Sequence, residues 1–351
     1  MEIVLTVVSI LLITAVFLSF VKNDFWIFKI LEYPRLQKLA LVLITLAAWA
    51  WYWPPAATWK QIVIGTLVLS LFYLLYKIWP YTMFAKKEMV RVNSTNKDDE
   101  ITIFAANVLQ HNTQFDRLLQ QLKAADPDII YLLETNKAWC EAMKELEKDY
   151  PYSILEPLEN TYGLLLYSKL ELLEPQVRFL VKNDIPSVKA VIKLRSGQKV
   201  RLFGLHPEPP VPGENLYSTA KDKELMKVAF EVKKEKLPCI VFGDLNDVAW
   251  SHTTELFRKV SGLLDPRRGR GFYSTFSAHH WFIRYPLDYI FCSCEFGLLR
   301  MKRMPANGSD HFATLTHLAF QKHLLKIQDE PGADHQEVEE AAEMATQEVK
   351  N

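Results

Sequence analysis

Three apolar runs crowd the N-terminal part of this 351-residue chain, at 3–21, 39–53 and 62–76. Such runs must be buried in a protein core or in lipid, and the first approaches the roughly 20 apolar residues that cross a bilayer. The second reaches that length only if residues 54–58 are counted. The third extends toward Trp79 past Lys77, whose long stem can snorkel. A removable signal peptide fits the first run poorly, because no basic segment leads it and no small-residue cleavage site follows. The aromatics Trp49, Trp51, Tyr52, Trp53 and Trp59 favour a membrane–water interface over a soluble core. The sequence therefore predicts about three transmembrane helices within residues 1–90.

Charge predicts their orientation. Lys22, Lys29, Arg35 and Lys38 lie between the first and second runs, and Lys77, Lys86, Lys87 and Arg91 follow the third. The other side carries Glu2 and a Pro-rich link with only Lys60 beside it. By the positive-inside bias, the C-terminal part lies in the cytoplasm. The expected location is thus the cytoplasmic membrane.

The balance of 41 basic and 41 acidic residues gives no general electrostatic case for nucleic acid. Four cysteines (Cys140, Cys239, Cys292 and Cys294) show no disulfide-framework or zinc spacing and read as free thiols. Residues 323–351, rich in Glu, Ala and Gln, read as an acidic tail that is either disordered or a frayed helix.

Past a polar linker at 91–100, the pattern turns to short apolar strands separated by helical spacing. A strand at 101–106 ends at Asn107, and another at 129–133 stops at Glu134. A hairpin of 188–194 and 199–205 delivers His206 at its end. A charged helix at 216–236 precedes the run 241–246 (VFGDLN), where Asp244 and Asn246 alternate with Leu245 and share one side of an extended backbone. A strand at 287–291 carries Asp288, and Ser309-Asp310-His311 leads into a last strand. The pattern predicts an α/β (α+β) domain over 101–322, two packed sheets flanked by helices.

These polar residues recur at strand ends, where loops build sites on a rigid scaffold. Carboxylates, amides and imidazoles with no reactive Ser or Cys suggest hydrolysis by an activated water. The oxygen-rich set suits a hard cation, Mg²⁺ or Mn²⁺, rather than zinc. Asp288 inside an apolar strand needs a partner, since an unpaired buried carboxylate costs several kcal/mol, and His311 is the candidate. The basic loop of Arg267, Arg268 and Arg270 is a candidate for holding substrate phosphates. A solvated basic turn would look the same.

The series Asn107, Leu133-Glu134-Thr135, His206, Gly243-Asp244-Leu245-Asn246, Leu287-Asp288-Tyr289 and Ser309-Asp310-His311 resembles the endonuclease/exonuclease/phosphatase superfamily, the deoxyribonuclease-I-like fold. The resemblance covers roughly residues 101–320 and implies a four-layer sandwich of two β-sheets between helices. It implies divalent-metal hydrolysis of phosphodiesters or phosphomonoesters. By the same resemblance Glu134 is the main metal ligand, with Asn107 and Asp310 on the metal side. Asp244 orients or deprotonates the water, Asn246 donates to phosphate, and Asp288 with His311 forms the pair at the scissile phosphate. His206 resembles the histidine of the nuclease and sphingomyelinase branches.

The chain departs from the family at Asp247 and Val248, where Arg or Trp follows the motif in inositol-polyphosphate phosphatases. The loop 206–215 and the apolar runs resemble a membrane-anchored bacterial subgroup. The expected substrate is a phosphate ester, either nucleic acid or a phospholipid headgroup as in sphingomyelinase, with the lipid bilayer as the other partner and no obligate protein partner. A non-catalytic binding module on the same fold is the remaining reading.

Overall fold

The apolar runs form helices in the computed structural model, which describes residues 1–52, 57–93 and 95–350. They are α1 (Glu2–Phe17), α2 (Trp26–Ile30), α3 (Arg35–Tyr52) and α4 (Thr58–Ile78). The three long ones pack through Leu5, Leu12, Val42, Trp49, Leu67 and Leu74. Their outer faces are apolar as well, with Ile3, Leu11, Ile44 and Leu69 exposed. A helix apolar all round suits a membrane or a deep core, and these outer faces have no core against them. The stretches Glu2–Phe20 and Thr58–Tyr81 are long and apolar enough to cross a membrane, with mean hydropathy 2.8 and 1.9. The second expected span, 39–53, falls in α3, whose described part ends at Tyr52 and whose first turns carry Arg35 and Lys38. Trp53 and the start of the Pro-rich link lie outside the described residues.

The rest of the chain runs β1 (Glu100–Asn107), α5 (Phe115–Ala125), β2 (Ile129–Leu133), α6 (Lys137–Ala142), β3 (Tyr152–Glu156), β4 (Leu164–Ser168), β5 (Glu171–Arg178), β6 (Ser187–Lys193) and β7 (Lys199–Leu205). It continues through α7 (Thr219–Lys234), β8 (Cys239–Asp244), α8 (His252–Ser261), β9 (Asp288–Cys292), β10 (Phe296–Arg303), β11 (Thr314–Phe320) and α9 (His335–Thr346). The strands make two mixed sheets, ordered β10-β11-β1-β2-β4-β3 and β5-β6-β7-β8-β9.

Strand alternation builds the layers. Ile103, Tyr131, Leu133, Ile240, Phe242 and Ile290 point into the gap between the sheets. Their neighbours Phe104, Ile130 and Leu132 face α5 and α6, while Val241 and Phe291 face α7 and α8. Each sheet thus packs on its partner and on helices, giving an α/β sandwich. The parallel pairs β1/β2 and β7/β8 bring four strand ends to one edge, and antiparallel β9 starts there with Asp288 opposite Asp244.

Two expected boundaries shift. The linker joins the domain early: Met89 is fully buried in the inter-sheet core, and the backbone of Val90 and Val92 pairs with Leu298. The acidic tail carries α9, started by a capping box of Asp334 and Glu337. Ala341, Met344 and Ala345 recur at helical spacing on one face, which packs against α7 and α8. The sparse apolar content that suggested disorder suffices because Ala341, Met344 and Ala345 fall on one side, while Val338 stays exposed.

Candidate active site

Asn107, Asp244 and Asp288 continue the parity of the core residues Ile103, Phe242 and Ile290, so each polar side chain projects into the mouth of the inter-sheet gap. All three are buried. Glu134 and Asn246 stand just past strand ends with left-handed backbones, φ 57° and 49°. Asn tolerates that region, but Glu seldom does, and the strain is on the order of 1–2 kcal/mol. Gly243 between them cannot be replaced: a Cβ there would lie 2.0 Å from the Leu205 carbonyl oxygen.

The side chains join in one chain of contacts. The Asn107 amide donates to Glu134 at 2.7 Å and to Asp244 at 3.2 Å. Asp244 accepts from the backbone N–H of Asn246 at 2.9 Å and lies 3.6 Å from His311 Nδ1. His311 Nδ1 meets Asp288 Oδ2 at 2.9 Å, the partner that a buried carboxylate required. Ser309 ties the last loop to the first strand, its hydroxyl donating to the Asn107 carbonyl at 2.8 Å and accepting from the His311 N–H at 3.0 Å. Asn246 donates to the Pro207 carbonyl at 3.0 Å, which links the loop after His206 to the same centre. Asp310 lies close enough to Glu134 for its charge to help raise that carboxyl's pKa.

Charge is distributed unevenly. Burial lowers the pKa of His311, but Asp288 and Asp244 outweigh it and raise the value to about 10, so the ring is an imidazolium at neutral pH. Burial, against the pull of His311, pushes Asp244 up, and burial likewise raises Glu134. His206 is brought down to about 4 by burial and by His311, and its Nδ1 has no partner. It is a neutral histidine beside a charged one.

Asp244, Asp288 and His311 are near enough to share a cation. That trio already holds the imidazolium, so a second positive charge would compete with it. Glu134 and nearby Asp310 present carboxylate oxygens beyond the Asn107 amide that donates to both Glu134 and Asp244, and the pull of His311 does not offset the burial that raises Glu134. A hard divalent ion fits this second set.

The basic loop is engaged elsewhere. Arg267 is fully buried, bound to Asp265 at 2.7 Å, stacked 3.9 Å over Tyr289 and donating to the Asp288 carbonyl at 3.1 Å. Arg268 pairs with Glu255 at 2.8 Å. Arg267 builds the floor under Asp288, and Arg268 lies over the Tyr81 ring beside Glu88 and Glu255. Arg270 faces an open groove with Arg284 and Arg303, and Arg268 lines a separate one with Lys86 and Lys87. Asp247, where the chain departs from the phosphatase pattern, binds the buried Lys221. Tyr33, which the sequence did not single out, donates to the Asn246 carbonyl at 2.7 Å.

Residues 105–311 match the model of the endonuclease/exonuclease/phosphatase family. Among solved structures, the chain is similar to D. rerio TDP2 complexed with a single-strand DNA product, at 18% identity and TM-score 0.52, over 62% of this chain and 98% of that one. It is similar to an endonuclease/exonuclease/phosphatase from Beutenbergia cavernae, at 13% identity and TM-score 0.51, over 64% and 72%. It is also similar to the human Nocturnin catalytic domain with bound sulfate, at 17% identity and TM-score 0.50, over 64% and 94%. At these identities the likeness is one of fold. No curated protein matches the chain.

Proposed function

This chain belongs to the endonuclease/exonuclease/phosphatase family, and from that premise we propose that it is a membrane-anchored, divalent-metal-dependent phosphodiesterase that hydrolyses its substrate by in-line attack of water. The observation that carries the proposal is the unbroken contact chain from Glu134 through Asn107, Asp244 and His311 to Asp288. It brings an acceptor, a cationic donor and the Glu134 carboxylate together at the mouth of the inter-sheet gap.

Asp244, with its pKa raised and its second oxygen held by the Asn246 N–H, orients the water and takes its proton. His311, held protonated by Asp288, donates to a phosphoryl oxygen as negative charge develops. Asn246 offers its remaining amide hydrogen to the phosphate, and neutral His206 supplies a further hydrogen-bonding ring edge. Glu134, Asn107 and Asp310 would hold Mg²⁺ or Mn²⁺. When bound, the ion neutralises equatorial oxygen charge and stabilises the leaving oxygen.

The test is hydrolysis by the full chain in detergent of bis(4-nitrophenyl) phosphate, single-stranded DNA and phospholipid vesicles, with Mg²⁺ or with EDTA. Asp244→Asn should remove turnover and Glu134→Gln should remove its metal dependence. A folded wild-type chain inert on all three substrates sinks the proposal. A phospholipid headgroup is the second reading of the substrate, favoured by exposed Trp281 and Phe282 on the loop before Asp288.

A further inference from the structure

Arg270, Arg284 and Arg303 line one groove of about 380 Å³ together with Phe272 and Tyr273. Arg258, Arg267 and Arg268 nearby are each held by carboxylates. The three groove arginines pair with no carboxylate among the described residues. Arg270 is bonded to the carbonyls of Pro266 and Met89, and Arg303 to that of Ser274 at 2.8 Å. The Arg284 Nε is buried without a partner. Arg284 and Arg303 crowd over one ring, that of Phe312, at 5.0 and 4.4 Å. Burial, with Arg91 beside Arg270 and Arg284 beside Arg303, lowers the pKa of Arg270 and Arg303. Like charges gathered this closely lack only their counter-ion.

Exposed aromatic tips flank the groove. On one side the loop of Arg267 and Arg270 lies on segment 80–89, with the Gly269 N–H donating to the Pro80 carbonyl at 2.8 Å. That segment leaves α4 and exposes Met83 and Phe84, at 75% and 81%. On the other side Trp281 and Phe282, at 81% and 54%, stand just before Arg284. Gln37 in α3 donates to the Phe282 carbonyl at 2.8 Å. Both tips are therefore fastened to the same end of the apolar helix bundle, where α3 begins and α4 ends. Aromatic side chains at the end of an apolar bundle sit at headgroup depth, and planar guanidinium forks match phosphate oxygens.

We propose that Met83–Phe84, the Arg270–Arg284–Arg303 groove and Trp281–Phe282 form one face that lies on an anionic phospholipid surface, the arginines binding headgroup phosphates and the aromatics entering the interface. His311 directly precedes Phe312, under the arginines, so the catalytic opening is held at the level of the headgroups. The inference rests on the reading of α1 and α4 as anchors and is independent of turnover.

The full chain is reconstituted in nanodiscs of phosphatidylcholine, with or without phosphatidylglycerol, carrying brominated acyl chains that quench nearby tryptophan. Wild type should be quenched more than Trp281→Phe, and the difference should grow with phosphatidylglycerol and shrink with salt. Arg284→Gln/Arg303→Gln should lower the docked-to-free ratio of the face by about 25-fold, at about fivefold per cation beside an anionic surface. Arg284→Lys/Arg303→Lys should restore most of it. Equal quenching of wild type and Trp281→Phe overturns the proposal. So does tight, arginine-dependent binding of a fluorescent oligonucleotide with no effect of lipid charge. Quenching without hydrolysis of any phosphodiester would leave this face intact while removing the catalytic proposal.

Discussion

The Tyr33 hydroxyl, on the connection between α1 and α3, donates to the backbone carbonyl of Asn246 at 2.7 Å, two residues on from Asp244. Its ring meets Tyr285 edge-on at 5.5 Å. Beside it Arg35 donates to the Trp250 carbonyl at 2.6 Å, and the Trp250 indole donates to the Glu32 carbonyl at 2.8 Å. The connection between two apolar helices thus forms one wall of the α/β domain beside the candidate site. Asn246 holds a left-handed backbone, and Tyr33 fixes the carbonyl that this conformation turns outward.

Tyr33→Phe removes that bond and keeps the ring contact. A net hydrogen bond is worth about 1 kcal/mol, so kcat on a soluble diester should fall about fivefold with KM little changed. A fragment starting at Lys97 removes Tyr33 together with Met89 and the Glu88–Arg258 ion pair. It should unfold at a lower temperature than the full chain and fail to recover wild-type kcat. Full activity from that fragment would show that the wall is dispensable.

Asp288→Asn tests the proton on His311. With Asp288 and Asp244 in place, the raised pKa of about 10 keeps the imidazolium through neutral pH and loses it only as pH rises through that value. Without the Asp288 charge the pKa falls toward the ordinary 6.5, and the alkaline limb of the pH–rate profile should move down by more than one pH unit. NMR titration of the His311 ring reads the same shift without turnover. An unmoved limb would assign the profile to another group.

Much of this centre was legible because strand parity is written in the sequence. Asn107, Asp244 and Asp288 each stand an even number of residues from a core-facing neighbour, and a polar residue in that phase must enter the inter-sheet gap. Glu134, one residue past core-facing Leu133, breaks the phase, and the left-handed backbones of Glu134 and Asn246 leave no trace in composition. The basic loop misled because adjacency of Arg267, Arg268 and Arg270 says nothing about partners: Asp265 and Glu255 neutralise two of them. Arg284 and Arg303 lie on separate elements and meet only through Phe312. The docking of Tyr33 was hidden for a similar reason. An aromatic between two apolar helices reads as an interface residue, whichever surface it meets.

Glu134→Gln tests the cation site by stability rather than by rate. A ligand that binds only the folded chain stabilises it by about 2.7 kcal/mol at a hundredfold excess over Kd. Mg²⁺ should therefore raise the melting temperature of wild type and leave that of Glu134→Gln unchanged. Burial raises the Glu134 pKa, so protons compete with the metal and the shift should weaken as pH falls. Equal Mg²⁺ stabilisation of both proteins would place the ion elsewhere, with the trio of Asp244, Asp288 and His311 as the next candidate.

Glu224, on the buried face of α7, makes a separate prediction about the scaffold. It is almost fully buried, one carboxyl oxygen has no partner, and its charge acts on Tyr131 in the opposite sheet. Burial, only partly offset by Arg178 and Lys227, moves its pKa from 4.5 to about 8. The folded state therefore favours the protonated carboxyl. That contribution to stability is complete below pH 4.5 and is lost as pH rises through about 8. Glu224→Gln keeps the shape of the protonated group and cannot ionise. Its stability relative to wild type should be near zero below pH 4.5, grow as pH rises from there to about 8, and level off above it at on the order of a few kcal/mol. Thermal unfolding of both full chains in detergent, at mildly acidic and at alkaline pH, reads the difference. A constant gap between them would mean that Glu224 is ionised in the folded chain and that Arg178 and Lys227 neutralise it in full.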